Sequence, residues 1–255
     1  KVAIVTGAGS RGPGIGNGKA TSVLFAREGA KVLLVDSVTQ HAEETRELIR
    51  SEGGEASVFK ANVTAANDCR DAVEAAVKRY GRLDILDNNV GVSLRHSITD
   101  VELSEWDRLM DTNLKSMMLT SRFAIPRMIE YGGGSIINIA SIAGLRASRD
   151  PLYTTTKAGV IGLTIALAGD HGRDGIRVNA IAPGAVYTPM VSERLSDKMR
   201  QHRKNSSALG TEGTAWDVAW AAVFLASDEA RWVTGIVLPV DAGAIIRSRH
   251  AYPDC

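Results

Sequence analysis

Short apolar segments and helical segments alternate along the whole chain, and this alternation constrains the fold more than any other feature of the sequence. Each apolar segment is continuous and rich in β-branched residues, as expected for a strand that is covered on both faces. Several helical segments end at a glycine that can adopt the left-handed conformation, including Gly29, Gly53 and Gly81. Strands that alternate with helices in this way require right-handed crossovers and a parallel sheet. We therefore predict an α/β fold, a doubly wound seven-stranded parallel sheet flanked by helices.

The predicted elements cover most of the chain. The strands are predicted at residues 2–6, 32–36, 56–63, 83–88, 135–140, 176–181 and 236–240. The helices are predicted at residues 19–28, 42–51, 65–80, 104–130, 154–171 and 215–226. One stretch, about 185–214, is polar and helix-prone and has no strand pattern. Because it follows the end of a strand, we expect this stretch to form a substrate loop beside a ligand crevice.

Length and charge exclude several classes of protein. A chain of 255 residues can form one large α/β domain and no linker divides it, so we predict a single domain over residues 1–255. With 30 basic and 29 acidic residues the net charge is +1, which provides no overall field for nucleic acid or an anionic membrane. Only Cys69 and Cys255 are available for disulfides, and no signal peptide or long apolar span is present. A cytoplasmic protein without a nucleic-acid or membrane partner is the expectation.

A glycine-rich stretch from Gly9 to Thr21 follows the first predicted strand. A loop that binds nucleoside triphosphates needs a glycine five positions before its Gly-Lys pair and a hydroxyl residue directly after it. In this chain Pro13 stands five positions before Gly18, and Ala20 follows Lys19. The triphosphate interpretation therefore fails at two positions, which leaves a dinucleotide loop as the alternative.

The surroundings of the glycine stretch favour that dinucleotide loop. It joins a strand to a helix, so that the backbone can approach a pyrophosphate at the start of the helix. Asp36 ends the next strand, about 20 residues beyond Gly16, which is the spacing of an acid that binds the adenosine ribose. A carboxylate there would repel a 2′-phosphate, so we predict NAD as the cofactor, with NADP less favoured. Arg11, in the same loop, could compensate a 2′-phosphate and keeps NADP open.

Five further signals follow one another along the chain. They are Thr6-Gly7, Asn88-Asn89-Val90-Gly91, Ser141, Tyr153-Thr-Thr-Thr-Lys157 and Pro183-Gly184. In these motifs and their order, from residue 2 to residue 243, the sequence resembles the classical subgroup of the short-chain dehydrogenase/reductase family. The resemblance implies a single-domain Rossmann fold and hydride transfer between a nicotinamide cofactor and an alcohol or ketone.

The glycine loop departs from the family pattern. The family's loop is compact, with Thr-Gly, three residues and then Gly-x-Gly, whereas the chain between Gly7 and Asp36 is longer here. The added residues lie within 8–15 if the helix keeps its length, which makes Gly16-Asn17-Gly18 the match to Gly-x-Gly. The residue types of Gly14-Ile15-Gly16 are closer to those of the family's motif, so both assignments remain open.

The chemistry of the Tyr-Lys motif follows from its residue types. Tyr153 and Lys157 are four positions apart on one face of a helix. A free phenol has a pKa of about 10 and is a poor base near neutrality. An ammonium about 4 Å away favours the phenolate by roughly 4 kcal/mol before desolvation is subtracted. The resemblance implies that Tyr153 exchanges the alcohol proton, that Ser141 binds the substrate oxygen and that Asn113 orders a water in a proton relay.

The predicted cofactor contacts combine the loop with the resemblance. Asn62 stands where the family usually carries an aspartate that contacts adenine, and an amide can make the same contact. The resemblance implies that Val186 and Thr188 hold the nicotinamide carboxamide. No metal site is predicted, because the five histidines show no ligand spacing. The predicted cofactor contacts are Gly7, Ser10, Arg11, Ile15, Gly16, Asn17, Gly18, Asp36, Asn62, Val63, Asn89, Gly91, Tyr153, Lys157, Pro183, Gly184, Val186 and Thr188.

The segments that border the family's substrate pocket are rich in cations. They contain Arg95, His96, Arg146, Arg149, Arg194, Lys198, Arg200, Arg203 and Lys204. Arginine forks suit carboxylates, sulfonates and phosphates, so we predict an anionic or strongly polar secondary alcohol. The alternative is a solvated face on which Asp150, Glu193 and Asp197 balance these cations.

Two classes of function are compatible with these residues. The first is an NAD-dependent alcohol dehydrogenase or ketone reductase, with an NADP-dependent reductase of the 3-oxoacyl type as its variant. The second is a dinucleotide-binding sensor or scaffold without catalysis. The complete set Asn113, Ser141, Tyr153 and Lys157 favours the enzyme. The resemblance also implies a homotetramer, formed through the helices at 104–130 and 154–171, with a dimer as the alternative.

Overall fold

A parallel sheet forms the centre of the molecule. The computed structural model describes residues 1–94, 96–146, 148, 150–192 and 195–247. The described residues contain the strands β1 (Val2–Thr6), β2 (Lys31–Asp36), β3 (Ala56–Lys60), β4 (Ile85–Asn88), β5 (Gly134–Ile139), β6 (Ile176–Pro183), β7 (Val186–Tyr187), β8 (Gly213–Thr214) and β9 (Val237–Val240). Seven of them form one parallel sheet in the order β3-β2-β1-β4-β5-β6-β9, and β7 pairs with β8 separately. The predicted doubly wound sheet is confirmed.

Helices cover both faces of this sheet. On one face α1 contacts α2 and α9, and on the other face α3 contacts α5. The alternation of side chains along β1 explains the two layers: Ala3 and Val5 belong to the first apolar cluster, and Ile4 belongs to the second. The helices are α1 (Asn17–Arg27), α2 (Thr39–Ser51), α3 (Ala66–Tyr80), α4 (Leu103–Met110), α5 (Ser116–Glu130), α6 (Pro151–His171), α7 (Pro189–Ser192), α8 (Asp197–Asn205) and α9 (Ala215–Ala226). None of the helices in the described ranges is long and apolar enough to cross a membrane; the cytoplasmic location stays a prediction.

The single helix predicted at residues 104–130 is interrupted. A π-helical turn, Asp111–Lys115, separates α4 from α5. Such a turn contains one extra residue and is often found at functional sites. Here it carries Asn113 into the interior, where its amide pairs with the backbone of Val92. The interruption therefore coincides with a tertiary contact of the residue at its centre.

Element ends shift by up to three residues elsewhere, and two of the further segments that differ from the sequence prediction border the cleft. The strand predicted to run to residue 63 ends at Lys60, because Asn62 begins a turn in which its side chain accepts a hydrogen bond from Thr64 N at 3.1 Å. The stretch 185–214 contains α7 and α8, as its composition suggests, but also the short strands β7 and β8. Their pairing ties both ends of this stretch together directly beyond β6.

Asp87 is an exception in the apolar core. It lies in β4, in register with Val5 of β1 and Ile137 of β5, and its residue surface is 0% exposed. Neither carboxyl oxygen has a hydrogen-bond partner among the described residues. Burial raises the pKa of Asp87 to about 8, so the side chain is a neutral carboxylic acid at neutral pH.

Replacing Asp87 by valine is expected to raise the free energy of unfolding, and the increase should be larger at higher pH. The folded-state pKa lies above the unfolded value of about 4, so the stability that the protonated form provides is present at low pH and is lost as the pH rises toward about 8. The gain in unfolding free energy of Asp87→Val should therefore grow by at least about 1 kcal/mol between pH 5 and pH 8. Urea unfolding at both pH values measures it.

Asp87→Asn is the matched control, because it removes the titration but keeps a buried polar group. The stability of Asp87→Asn should depend less on pH than that of the wild-type protein, as for Asp87→Val. Its gain in unfolding free energy should be smaller than that of Asp87→Val. An equal gain for Asp87→Val at pH 5 and pH 8 would contradict the assignment.

Candidate active site

A cleft of about 1240 Å³ lies at the carboxyl ends of the central strands. It spans the point between β1 and β4 where the strand order reverses, which is where open α/β sheets bind their ligands. The cleft brings together nearly all of the predicted site residues. Of the predicted catalytic and cofactor-contacting residues, only Ile15 and Asn113 do not line it.

The glycine loop meets the sheet at Gly18. A Cβ atom on Gly18 would lie 2.1 Å from the Gly7 carbonyl oxygen and 2.5 Å from Asn89 Nδ2, so that only glycine fits. Gly16 directly precedes α1, and its N–H donates to Ser10 Oγ at 2.9 Å. These contacts favour Gly16-Asn17-Gly18 over Gly14-Ile15-Gly16 as the pair next to a bound pyrophosphate.

The added residues of the loop form an excursion closed by this bond between Ser10 and Gly16. Arg11 is exposed and lines the mouth of the cleft. Gly14 has a positive φ of 110°, and a Cβ on it would lie 3.6 Å from Pro189 Cγ, so the excursion reaches α7 across the cleft. The Ile15 side chain packs against the apolar cluster that includes Ala20 and Ala215, which anchors the loop on α1 and α9.

Asp36 is held in place at the end of β2. Its Oδ2 accepts a hydrogen bond from Gly9 N at 3.0 Å, and its Oδ1 accepts one from Val38 N at 2.9 Å. Each carboxylate oxygen can accept a second hydrogen bond, and Asp36 lines the cleft. The carboxylate is therefore fixed in place by the backbone and keeps acceptor capacity at the cleft. His41, at the start of α2, packs against the loop, because a Cβ on Gly9 would lie 2.3 Å from its Cβ.

The ends of β3 and β4 complete this half of the cleft. Asn62 and Val63 line it, and the Asn62 side-chain oxygen is engaged by Thr64 within the turn. Asn89 Nδ2 donates to the carbonyl of Gly7 at 3.1 Å, which ties β4 to β1. Asn88 points into the protein instead, where its Nδ2 donates to Asn138 at 2.9 Å.

Ser141, Tyr153 and Lys157 meet in the other half of the cleft. Ser141 follows β5, and its side chain is hydrogen-bonded to the Tyr153 phenol. Lys157 is only 2% exposed, and its Nζ donates to the carbonyl of Ile139 at 2.6 Å. The same Nζ lies 5.6 Å from the centroid of the Tyr153 ring.

Burial controls the protonation of both groups. Burial raises the pKa of Tyr153, the hydrogen bond with Ser141 lowers it, and the charge of Asp150 raises it. Burial lowers the pKa of Lys157 to about 8. We predicted from the sequence that Lys157 would bring the phenol pKa down, but desolvation is the larger influence here. The phenol of Tyr153 is therefore protonated at neutral pH.

Asn113 does not line the cleft but holds two of the surrounding segments together. It is fully buried in the π-helical turn, and its Oδ1 and Nδ2 pair with the N–H and carbonyl of Val92, both at 2.8 Å. Its Nδ2 also donates to Thr156 Oγ1 at 3.1 Å. These bonds connect the loop after β4 to α6. Gly91, in this loop, lies close to the Lys157 ammonium, since a Cβ on it would be 3.4 Å from Nζ. The proton-relay role of Asn113 stays a prediction.

The segment after β6 closes the remaining side. Pro183, Gly184, Val186 and Thr188 all line the cleft. The Gly184 N–H donates to the carbonyl of Val240 at 2.9 Å, and a Cβ on Gly184 would lie 2.6 Å from Asp241 Cβ. The chain can therefore make this tight turn next to β9 only with a glycine.

The cationic residues divide into three groups. Arg95, Arg149 and Arg194, together with Glu193, lie outside the described residues. Arg146 and Arg203 line the cleft, and Arg146 donates to the carbonyl of Ala244. The third group, which does not line the cleft in the described structure, contains His96, Lys198, Arg200 and Lys204.

Glu212 balances part of this charge and was not identified from the sequence. Its side chain is 4% exposed and accepts from Arg200 at 2.9 Å, with Arg203 Nε 3.5 Å away. Arg203 also donates to the carbonyl of Val186 at 2.9 Å. The counter-charge is therefore this glutamate from the end of the 185–214 stretch. A spacing of 12 residues between Arg200 and Glu212 carries no local signal.

A cleft with a glycine-rich helix start at one end and a Tyr–Lys pair at the other is typical of oxidoreductases that use nicotinamide dinucleotides. Comparison with known proteins agrees with this class. A family model described as "Enoyl-(Acyl carrier protein) reductase" matches residues 11–244. The chain is 36% identical to the 3-oxoacyl-(acyl-carrier-protein) reductase FabG of Thermotoga maritima, over 96% of this chain and 98% of that protein.

Other relatives have dehydrogenase names. The chain is 36% identical to the cyclohexanol dehydrogenase of an Acinetobacter species, over 94% of this chain and 93% of that protein. A crystal structure of a short-chain dehydrogenase/reductase from Burkholderia xenovorans superposes with a TM-score of 0.93 at 39% identity, covering 97% of each chain. The protein belongs to the short-chain dehydrogenase/reductase family.

Proposed function

We propose that this protein is an NAD-dependent oxidoreductase that interconverts a secondary alcohol and a ketone. The observation that carries the proposal is the single cleft in which Ser141, Tyr153 and Lys157 face the glycine-rich start of α1. A binding protein would need the glycine loop but not a phenol that is hydrogen-bonded to a serine and lies beside a buried lysine. The sensor or scaffold function is therefore the less favoured one.

The residues of the cleft fit a dinucleotide. The contact of Gly18 with Gly7 leaves no room for a side chain where the pyrophosphate would approach, and the N–H groups at the start of α1 would hold its charge. Asp36 would bind the ribose hydroxyls and repel a 2′-phosphate, which supports NAD. Exposed Arg11 at the same mouth is the observation that favours NADP as the alternative.

The mechanism assigns one task to each of the polar side chains Ser141, Tyr153 and Lys157. When bound, the nicotinamide supplies or accepts the hydride. Ser141 would hold the substrate oxygen, and Tyr153 would give its proton to a ketone oxygen or take the proton of an alcohol. Because burial raises the pKa of Tyr153, the protonated form that reduction needs is present at neutral pH. Lys157 would orient the ribose and stabilise the phenolate when Tyr153 has lost its proton.

The chemistry of the substrate is the finer part of the proposal. Arg146 and Arg203 line the cleft, which supports an anionic or strongly polar secondary alcohol. The pairing of Arg203 with buried Glu212 reduces the positive charge available to it. A neutral cyclic alcohol is therefore the second candidate, and the names of a cyclohexanol dehydrogenase and a 7alpha-hydroxysteroid dehydrogenase among the relatives favour it.

Replacing Tyr153 by phenylalanine is expected to lower kcat by about 100-fold or more, because the proton donor is lost, while NADH affinity changes little. Tyr131→Phe is the matched control: this tyrosine is half-exposed at the end of α5 and outside the cleft. Absorbance at the nicotinamide band measures turnover with a panel of paired alcohols and ketones. Full turnover by Tyr153→Phe would contradict the mechanism.

The same panel of alcohols tests the substrate class with the wild-type protein. A higher kcat/KM for neutral than for charged alcohols would reject the anionic substrate.

We also propose a homotetramer. Apolar side chains are exposed on the outer faces of three helices: Met118 and Ile129 on α5, Ile165 on α6, and Trp220 and Phe224 on α9. Such surfaces are commonly covered by another subunit. Multi-angle light scattering is expected to give four times the chain mass of 27.2 kDa. A stable monomer at micromolar concentration would contradict the assembly.

A further inference from the structure

Asp150 stands at the junction of two segments that shape the active site. It is the residue directly before α6, is 7% exposed and lines the cleft. Its Oδ1 accepts a hydrogen bond from the backbone N–H of Tyr153 at 3.0 Å. Its Oδ2 accepts one from Ser93 Oγ at 2.8 Å. One carboxylate therefore caps the helix that carries Tyr153 and ties it to the loop after β4.

The hydrogen bond from the Tyr153 N–H to Asp150 Oδ1 affects the position of Tyr153. A helix start leaves N–H groups without partners, and an aspartate at this place fixes the backbone of the residue three positions later. That residue is Tyr153 itself. The position of the phenol thus depends on the Asp150 side chain as well as on the packing of α6.

The charge of Asp150 also acts on the phenol. A negative charge near a phenol disfavours the phenolate, and Asp150 is the charged residue that raises the pKa of Tyr153. The other charged groups that line this half of the cleft, among the described residues, are Lys157, Arg146 and Arg203. Lys157 donates to Ile139, Arg146 to Ala244 and Arg203 to Val186, so each is directed to a backbone carbonyl.

We propose that Asp150 is a positioning residue of the active site, whose carboxylate fixes Tyr153 against the loop after β4 and whose charge favours the protonated phenol. The inference rests on the proposed function, in which Tyr153 exchanges the proton. The hydrogen bond of Ser93 with Asp150 couples the position of the loop after β4 to that of α6.

Three variants separate the two roles. Asp150→Asn keeps both contacts, because the amide oxygen can cap Tyr153 and the amide nitrogen can donate to Ser93, but it removes the charge. Asp150→Ala removes the contacts and the charge. Ser93→Ala removes one contact and keeps the charge. Each variant is compared with the wild-type chain for Tm and for the titration of Tyr153.

The titration is read without turnover, so that it is independent of the proposed reaction. Tyr153 is replaced by 3-fluorotyrosine in each chain, and the fluorine NMR shift is followed against pH; the ring fluorine acidifies the phenol and brings its titration into the range of the folded protein. Asp150→Asn should lower the titration midpoint by about half a pH unit or more, a roughly threefold change in the phenolate fraction, with Tm unchanged. Asp150→Ala should lower Tm, and Ser93→Ala should leave the midpoint unchanged.

The rate profile gives a second readout. The rising limb of kcat/KM for alcohol oxidation should move to lower pH in Asp150→Asn by the same amount as the titration. An unchanged Tyr153 midpoint in Asp150→Asn would overturn the proposal. A shifted midpoint in a protein that oxidises no alcohol and reduces no ketone would support the influence of Asp150 on Tyr153 and reject the proposed function separately.

Discussion

The close approach of α1 to the ends of β1 and β4 is the constraint on which the rest of the site depends. Gly18 lies against the Gly7 carbonyl and the Asn89 amide, at a separation that no side chain could occupy. Because α1 starts at this contact, its free N–H groups face the point where the strand order reverses. The glycine loop and Asp36 then lie on one side of that point, and Tyr153 with Lys157 lies on the other. This packing contact thus places the start of α1 at the cleft.

Burial explains the electrostatics of the catalytic half. Lys157 is removed from water and Tyr153 is partly buried, so desolvation favours the neutral form of each group. The phenol is therefore protonated at neutral pH, and burial brings the pKa of Lys157 to about 8. Asp87 shows the same effect in the core, where a carboxyl group without partners stays protonated. Low polarity of the surroundings, more than charge pairing, therefore sets the protonation of Tyr153, Lys157 and Asp87.

Much of the fold follows from the sequence, because continuous β-branched runs directly report burial on both faces; β1 has the predicted bounds. Features that depend on tertiary partners could not be predicted. The π-helical turn carries Asn113 to its contact with Val92, and the pairing of Arg200 with Glu212 joins residues without a local pattern. The side chain of Ile15 packs on α9, a contact that the loop sequence does not indicate. The predicted site residues converge on one cleft because strand ends in a parallel sheet meet at one edge.

Binding of NADH and NADPH to the purified protein tests the account most directly. Fluorescence titration of the reduced dinucleotides reports the cleft itself and needs no substrate. The account predicts binding of both, with the tighter dissociation constant for NADH, because the Asp36 carboxylate accepts the ribose hydroxyls and repels a 2′-phosphate. Tighter binding of NADPH would mean that Arg11 overrides Asp36 and would contradict the NAD assignment. Failure to bind either dinucleotide would contradict the central claim that this cleft is a nicotinamide dinucleotide site.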